Sequence, residues 1–206
     1  MKNDNYSTVL NWHYITISLI FGVVILLMVL YMPSLRSIDF NILENIRKFL
    51  PPIPQYIPGI INEIGRNYYI WPLIVSGGIL TSHKYYLETF LLVFLTQASY
   101  VVVNLIKNII CRQRPCGESY PGYSFPSGHT LTATCFFGIL IYLTIKHTHG
   151  FWKYFLTSVF FIFIVITGIS RLWLGVHFLT DVLEGFLLGF IFVNFYIIMD
   201  KFFSRR

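Results

Sequence analysis

The sequence predicts an all-α polytopic membrane bundle: six transmembrane helices, with a short interfacial amphipathic helix between the first two. Two observations lead there. Of 206 residues, 55% are hydrophobic and only 12% charged, with a mean hydropathy of +0.65. A water-facing domain of this size ordinarily carries about 25% charge, so there is too little polar material to cover one. Apolar runs near the length of about 20 residues that crosses a bilayer as a helix also recur along the chain. The same composition excludes disorder, and three cysteines exclude a disulfide scaffold. The net charge of +6 points to lipid headgroups or an anionic substrate. The basic residues form no single stripe such as a nucleic-acid groove needs, so nucleic acid is not an expected partner.

The first span covers 12–32, ends before Pro33 and follows a polar segment with a single lysine, which reads as an uncleaved anchor. Apolar density then falls between Arg36 and Arg66. There Ile42, Leu43, Ile46, Phe49 and Leu50 recur at helical spacing opposite Asn41, Glu44, Asn45, Arg47 and Lys48. This pattern describes either a short helix lying in the membrane interface or a solvated loop with incidental periodicity. Pro51, Pro52, Pro54 and Pro58 forbid its continuation. The second span, 67–82, is short and interrupted by Pro72, Gly77 and Gly78. Four more follow at 85–106, 127–145, 151–169 and 182–199. Trp12, Trp71, Trp152 and Trp173 lie near span ends, as interface anchors should. The chain reads as one membrane-embedded unit over 1–206.

Six crossings place both termini on one face and gather the loops after the first, third and fifth spans on the other. With the site cations set aside, the terminal face is the more basic, which favours cytoplasmic termini. Richness in Ile, Asn, Phe and Tyr hints at an AT-rich bacterial genome, hence a bacterial cytoplasmic membrane.

Three polar clusters interrupt the apolar pattern, all at span ends toward those odd-numbered loops: Lys107 with Arg114–Pro115, Pro126–Ser127–Gly128–His129, and Ser170–Arg171 with His177 and Asp181. Ionisable groups at membrane depth are costly and mark function or pair with one another. Lys107, Arg114 and Arg171 would repel one another in a partly desolvated pocket unless an anion with several oxygens sat among them. Arginine's planar fork and lysine's compact charge suit a phosphoryl group. Pro126–Ser127–Gly128 opens the fourth span, so free N–H groups and the positive end of the helix dipole face the same place. Ser127 could cap that helix or bind a phosphate oxygen, and Gly128 allows close backbone approach.

His177 and Asp181 stand four apart and would share a helical face, the carboxylate holding the imidazole. The free ring nitrogen could then serve as nucleophile or base, with His129 protonating a leaving oxygen. Two histidines and an aspartate could also ligate zinc. Three crowded cations argue against adding a divalent one, so no metal is expected.

These residues resemble the type 2 phosphatidic acid phosphatases, which share their site with the vanadium haloperoxidases. The family's motifs are K-x6-R-P, P-S-G-H and S-R-x5-H-x3-D. The chain matches them with Lys107-x6-Arg114-Pro115, Pro126-Ser127-Gly128-His129 and Ser170-Arg171-x5-His177-x3-Asp181. The resemblance implies that His177 attacks phosphorus to form a phosphohistidine, Asp181 orients and activates it, and His129 protonates the leaving group. It implies that Lys107, Arg114, Ser127, Gly128 and Arg171 bind the phosphoryl oxygens and that no cofactor is needed. The implied substrate is a phosphorylated membrane lipid such as phosphatidylglycerophosphate, phosphatidic acid, undecaprenyl diphosphate or lipid A, handled at the extracytoplasmic face. A lipid phosphotransferase using the same site, and a non-enzymatic lipid-phosphate transporter or receptor, are the alternatives.

Other polar residues are expected to matter less. Arg112 and Glu118 read as a solvated loop pair, with headgroup binding the alternative. Cys111 and Cys116 flank Arg114 and could pair on an oxidising face. His83, His147 and His149 are expected at headgroup level on the terminal face. Glu184 either favours its helix N-terminus or supports His177 from behind.

Overall fold

The computed structural model describes residues 2–49, 74, 76–78 and 85–203, and no strand occurs among them. The helices are α1 (Lys2–Tyr31), α2 (Pro33–Phe49), α3 (Tyr86–Ile110), α4 (Gly128–His147), α5 (Gly150–Trp173) and α6 (Leu179–Phe203). A 3₁₀ turn at Gly117–Ser119 breaks the connection from α3 to α4. Among the described residues, five segments are long and apolar enough to cross a membrane: Trp12–Tyr31 and the whole of α3, α4, α5 and α6. The expected second span, 67–82, lies outside the described residues except for Ile74 and Ser76–Gly78, which are helical.

The helix ends depart from the sequence expectation for one recurring reason. Polar residues taken as boundaries sit inside last turns, where a cation complements the exposed carbonyls. Lys107 is in the last turn of α3, which closes at Cys111 in the left-handed conformation with its N–H returned to the Lys107 carbonyl at 2.9 Å. Arg171 is likewise in the last turn of α5, which runs to Trp173 rather than 169. Conversely, α6 begins at Leu179, so His177 precedes the helix.

The amphipathic segment is a helix, not a loop. It starts at Pro33, directly after α1, where a first-turn proline loses no hydrogen bond. Its buried positions Leu35, Asp39 and Leu43 follow one another at intervals of four. Leu43 packs with Leu172 of α5 and Val182 of α6.

Inside the bundle, α4 is central, touching α3, α5 and α6, and α1 leans on α6. The core of Leu92, Leu95, Phe136, Ile139 and Tyr196 fills the space among α3, α4 and α6. Association of helices in a bilayer depends on close packing rather than on water exclusion, which favours small residues at crossings. Gly185 and Gly189 of α6 meet that need against α4. A Cβ at Gly185 would stand 2.9 Å from the Ser127 carbonyl oxygen. At Gly189 it would stand 2.5 Å from Thr134 Cβ and 2.8 Å from the Leu131 carbonyl oxygen.

At the end of the bundle remote from Lys107, α3, α4 and α6 are joined by charge. Lys146 Nζ donates to Glu88 Oε1 at 2.6 Å and to Asp200 Oδ2 at 2.7 Å, and Tyr142 also donates to Asp200, at 2.7 Å. His147 Nε2 lies 3.0 Å from Glu88 Oε1. This histidine, expected at headgroup level, is half-buried at the end of α4 and turns to the buried Glu88 carboxylate, beside the Lys146 ion pair.

Replacing Gly189 by alanine is expected to lower stability by about 1–3 kcal/mol through overpacking. The readout is the thermal midpoint of the purified chain in detergent, and an unchanged midpoint would contradict the close α4–α6 approach.

Candidate active site

The three polar clusters converge where the C-terminal ends of α3 and α5 meet the N-terminal ends of α4 and α6. The turn from α5 to α6 sets the geometry. Gly175, with φ of +67°, reverses the chain just before Val176 and His177, a conformation that costs glycine little. Asp181 then folds back in the first turn of α6, and its Oδ2 accepts the Phe178 backbone N–H at 2.9 Å. The same oxygen lies 3.3 Å from His177 Nδ1. The pairing predicted from the four-residue spacing therefore forms, but across a turn closed by this carboxylate rather than along a helical face.

Arg114 approaches His177 from the loop after α3. Its Nη1 lies 3.2 Å from His177 Nε2 and donates to the Val176 carbonyl at 2.9 Å, while Nε donates to the Gly122 carbonyl at 3.0 Å. A guanidinium has no acceptor, so Nε2 must present its lone pair to Arg114, and the single imidazole proton sits on Nδ1 facing Asp181. His177 is 2% exposed. Burial, reinforced by Lys107 and Arg114 and opposed by Asp181, pushes its pKa down to about 4. The ring is thus neutral near pH 7 with a lone pair on the nitrogen that faces the cations. Burial also lowers the Arg114 guanidinium from its ordinary value.

The N-terminus of α4 is tied to the same point. Ser127 is its N-cap residue, and the Ser127 N–H donates to the Asp181 carbonyl at 2.9 Å. Its hydroxyl pairs with Thr130 Oγ1 at 2.9 Å rather than capping the backbone. Gly128 sits tightly against α3, where a Cβ would stand 3.1 Å from Val103 Cγ1. His129 occupies the second position of α4. Lys107 Nζ donates to the Tyr123 carbonyl, and Arg171, buried in the last turn of α5, donates from Nε to Ser170 Oγ at 3.1 Å.

Two residues change standing. Arg112 is no solvated loop residue. Its side chain is 9% exposed and donates to Asp181 Oδ1 at 2.6 Å, Asp39 Oδ2 at 2.8 Å and Thr180 Oγ1 at 2.7 Å, with Cζ 4.3 Å from the Phe178 ring centroid. Sequence reasoning looked for its partner nearby, whereas Asp39 is 73 residues away. Asp39 itself was missed, although a carboxylate midway between Leu35 and Leu43 on an apolar stripe was a legible signal. Glu184 is buried but turned toward α1, with Oε1 3.0 Å from where a Cβ on Gly22 would be. That contact places its carboxyl on the α1 side of α6.

Cys111 and Cys116 are free thiols, Cys111 donating to the Asn108 carbonyl at 3.1 Å. Among the described residues no cluster of histidine, cysteine and carboxylate groups is arranged to hold a metal ion.

The arrangement concentrates cations around a neutral, oriented imidazole. Phosphatidylglycerophosphatase B of Bacillus subtilis (strain 168) is 37% identical over 144 residues, 63% of this chain and 66% of that protein. The match thus spans just under two thirds of that relative's length. The crystal structure of a transmembrane PAP2 type phosphatidylglycerolphosphate phosphatase from Bacillus subtilis superposes with a TM-score of 0.74 at 24% identity, covering 94% of this chain and 98% of that one. LpxE of Aquifex aeolicus gives a TM-score of 0.59 at 22% identity over 76% of this chain and 93% of that one. At these identities the two structures show a common fold. The PAP2 superfamily matches residues 88–205, more than half of the sequence and all three motifs, and the chain belongs to that family.

Proposed function

We propose that this chain is an integral-membrane lipid phosphatase that works through a phosphohistidine on His177 without a metal. The observation that carries the reading is the neutral His177 imidazole, held by Asp181 on one side and facing Arg114 on the other. Charge bookkeeping agrees with it. Among the described residues, Lys107 and Arg114 both act on His177, leaving positive charge beside its ring for an anion to neutralise. A phosphate monoester near pH 7 carries about −1.5 to −2.

In the proposed sequence His177 Nε2 attacks phosphorus in line with the lipid oxygen. The N–P bond forms as the P–O bond breaks, and His129 gives its proton to the departing alkoxide. Asp181 stays ionised and stabilises the imidazolium that forms. Lys107, Arg114, Arg171 and the Ser127–Gly128 N–H groups hold the equatorial oxygens, whose charge grows in the transition state. Water then attacks, His129 takes its proton, the N–P bond breaks and phosphate leaves. Likeness to the Bacillus phosphatidylglycerophosphatase B favours a phosphatidylglycerophosphate headgroup, and the bacterial cytoplasmic membrane as location, with the site on the extracytoplasmic side and the termini in the cytoplasm. The whole of 1–206 acts as one unit in this reading.

Purified chain given short-chain phosphatidylglycerophosphate in EDTA is expected to release phosphate, and His177→Ala to lose at least about a thousandfold in rate. Equal release by that variant would end the proposal. His129→Ala, given an aryl phosphate whose leaving group needs no proton, is expected to yield one burst of phenolate per enzyme and then stall as phosphoenzyme. A linear time course without a burst would contradict the assigned role. Because burial holds His177 near 4 rather than 6.5, its acid limb in kcat/KM is expected near pH 4: the ring stays a neutral nucleophile above that value and is lost by protonation below it. A limb at 6.5 would show a solvated ring instead.

A further inference from the structure

The phosphatase reading uses α3 to α6, yet α2 meets the site at four places. Arg36 Nη2 donates to Gln113 Oε1 at 3.3 Å in the loop after α3. Asp39 binds Arg112 and accepts the Thr180 hydroxyl. Leu43 packs on Leu172 and Val182. Finally, a Cβ on Gly175 would stand 3.3 Å from the Arg47 guanidinium, at the turn that delivers His177. A helix expected to lie on the lipid is thus laid across both loops that carry the motif residues.

Asp39 is the chemically telling contact. Arg112 holds Asp181 Oδ1 at 2.6 Å, while His177 depends on Oδ2 of the same carboxylate. A buried guanidinium with no other partner would place its whole charge on Asp181 and draw electron density away from the imidazole N–H. Asp39, 1% exposed and 2.8 Å from the other guanidinium nitrogen, shares that charge. The Thr180 hydroxyl completes the frame by accepting from Arg112 and donating to Asp39.

We infer that Asp39, through Arg112, is a positioning residue for the reaction: it keeps the Asp181 carboxylate oriented and basic toward His177, and it makes docking of α2 part of the assembled site. The inference rests on the phosphatase reading, and its effect is on the chemical step. Asp39 touches no group assigned to the phosphoryl oxygens, so phosphate binding is spared.

The test uses the full chain in detergent micelles with short-chain phosphatidylglycerophosphate as substrate and orthovanadate as a phosphoryl mimic. Asp39→Asn is expected to lower kcat on the order of a hundredfold. KM and the inhibition constant of vanadate should stay within about twofold of wild type, the signature of an interaction made in the transition state. Lys48→Gln removes a charge at an exposed position of α2 and is expected to leave kcat unchanged. Should Asp39→Asn not fold, Thr180→Val removes the bridging hydroxyl with every charge retained, and a severalfold fall in kcat at unaltered vanadate inhibition is expected. Wild-type kcat in either folded variant overturns the inference, as does a fall in vanadate affinity parallel to the loss of rate. An inactive wild-type chain removes the phosphatase reading itself, an outcome distinct from active wild type with an unimpaired Asp39→Asn.

Discussion

One carboxylate with no exposure to solvent organises the molecule's reactive end. Asp181 accepts from His177, Arg112 and the Phe178 N–H through its side chain, and from Ser127 through its carbonyl. Those contacts join the turn into α6, the loop after α3 and the N-cap residue of α4. An ionised carboxylate taken out of water costs several kcal/mol unless fully paired, so each donor is required. Because Asp181 is satisfied in this single way, the orientation of the imidazole follows from the fold.

The bundle around it is arranged to make that point rigid. Glycines at 185 and 189 bring α6 against α4 near the site, and the Glu88, Lys146 and Asp200 contacts join α3, α4 and α6 at the other end. Along α3, the 19 residues from Glu88 to Lys107 separate the two ends by roughly 30 Å at 1.5 Å per residue. Ionic contacts at both ends with an apolar middle are what a bilayer demands, since the desolvated centre tolerates few charges.

Much of this was legible in the sequence. Apolar runs of bilayer length gave five of the spans to within a few residues, and the polar interruptions included Arg114 and Asp181, which lie against His177. The boundaries erred where a charged residue was read as the end of a helix, because a cation in the last turn is compatible with the helix continuing. Arg112 and Asp39 escaped because charge pairing was sought between neighbours, whereas the closing contact joins residues 73 positions apart. The partner of His147 was hidden for the same reason: Glu88 opens a different helix. Sequence periodicity shows which face of a helix is apolar, but it does not say what covers that face.

The bond between Arg112 and Asp39 also ties the family's matched segment to a residue outside it. The family's shared segment, 88–205, contains every motif residue but not Asp39. Cut to that segment, the chain would keep a guanidinium in its interior stripped of half its compensation, and orphaning one member of a buried ion pair costs about 3–5 kcal/mol. The amino-terminal portion therefore belongs to the minimal unit that keeps this ion pair whole, and grafting the motif-bearing helices into another scaffold would have to carry a surrogate acid with them.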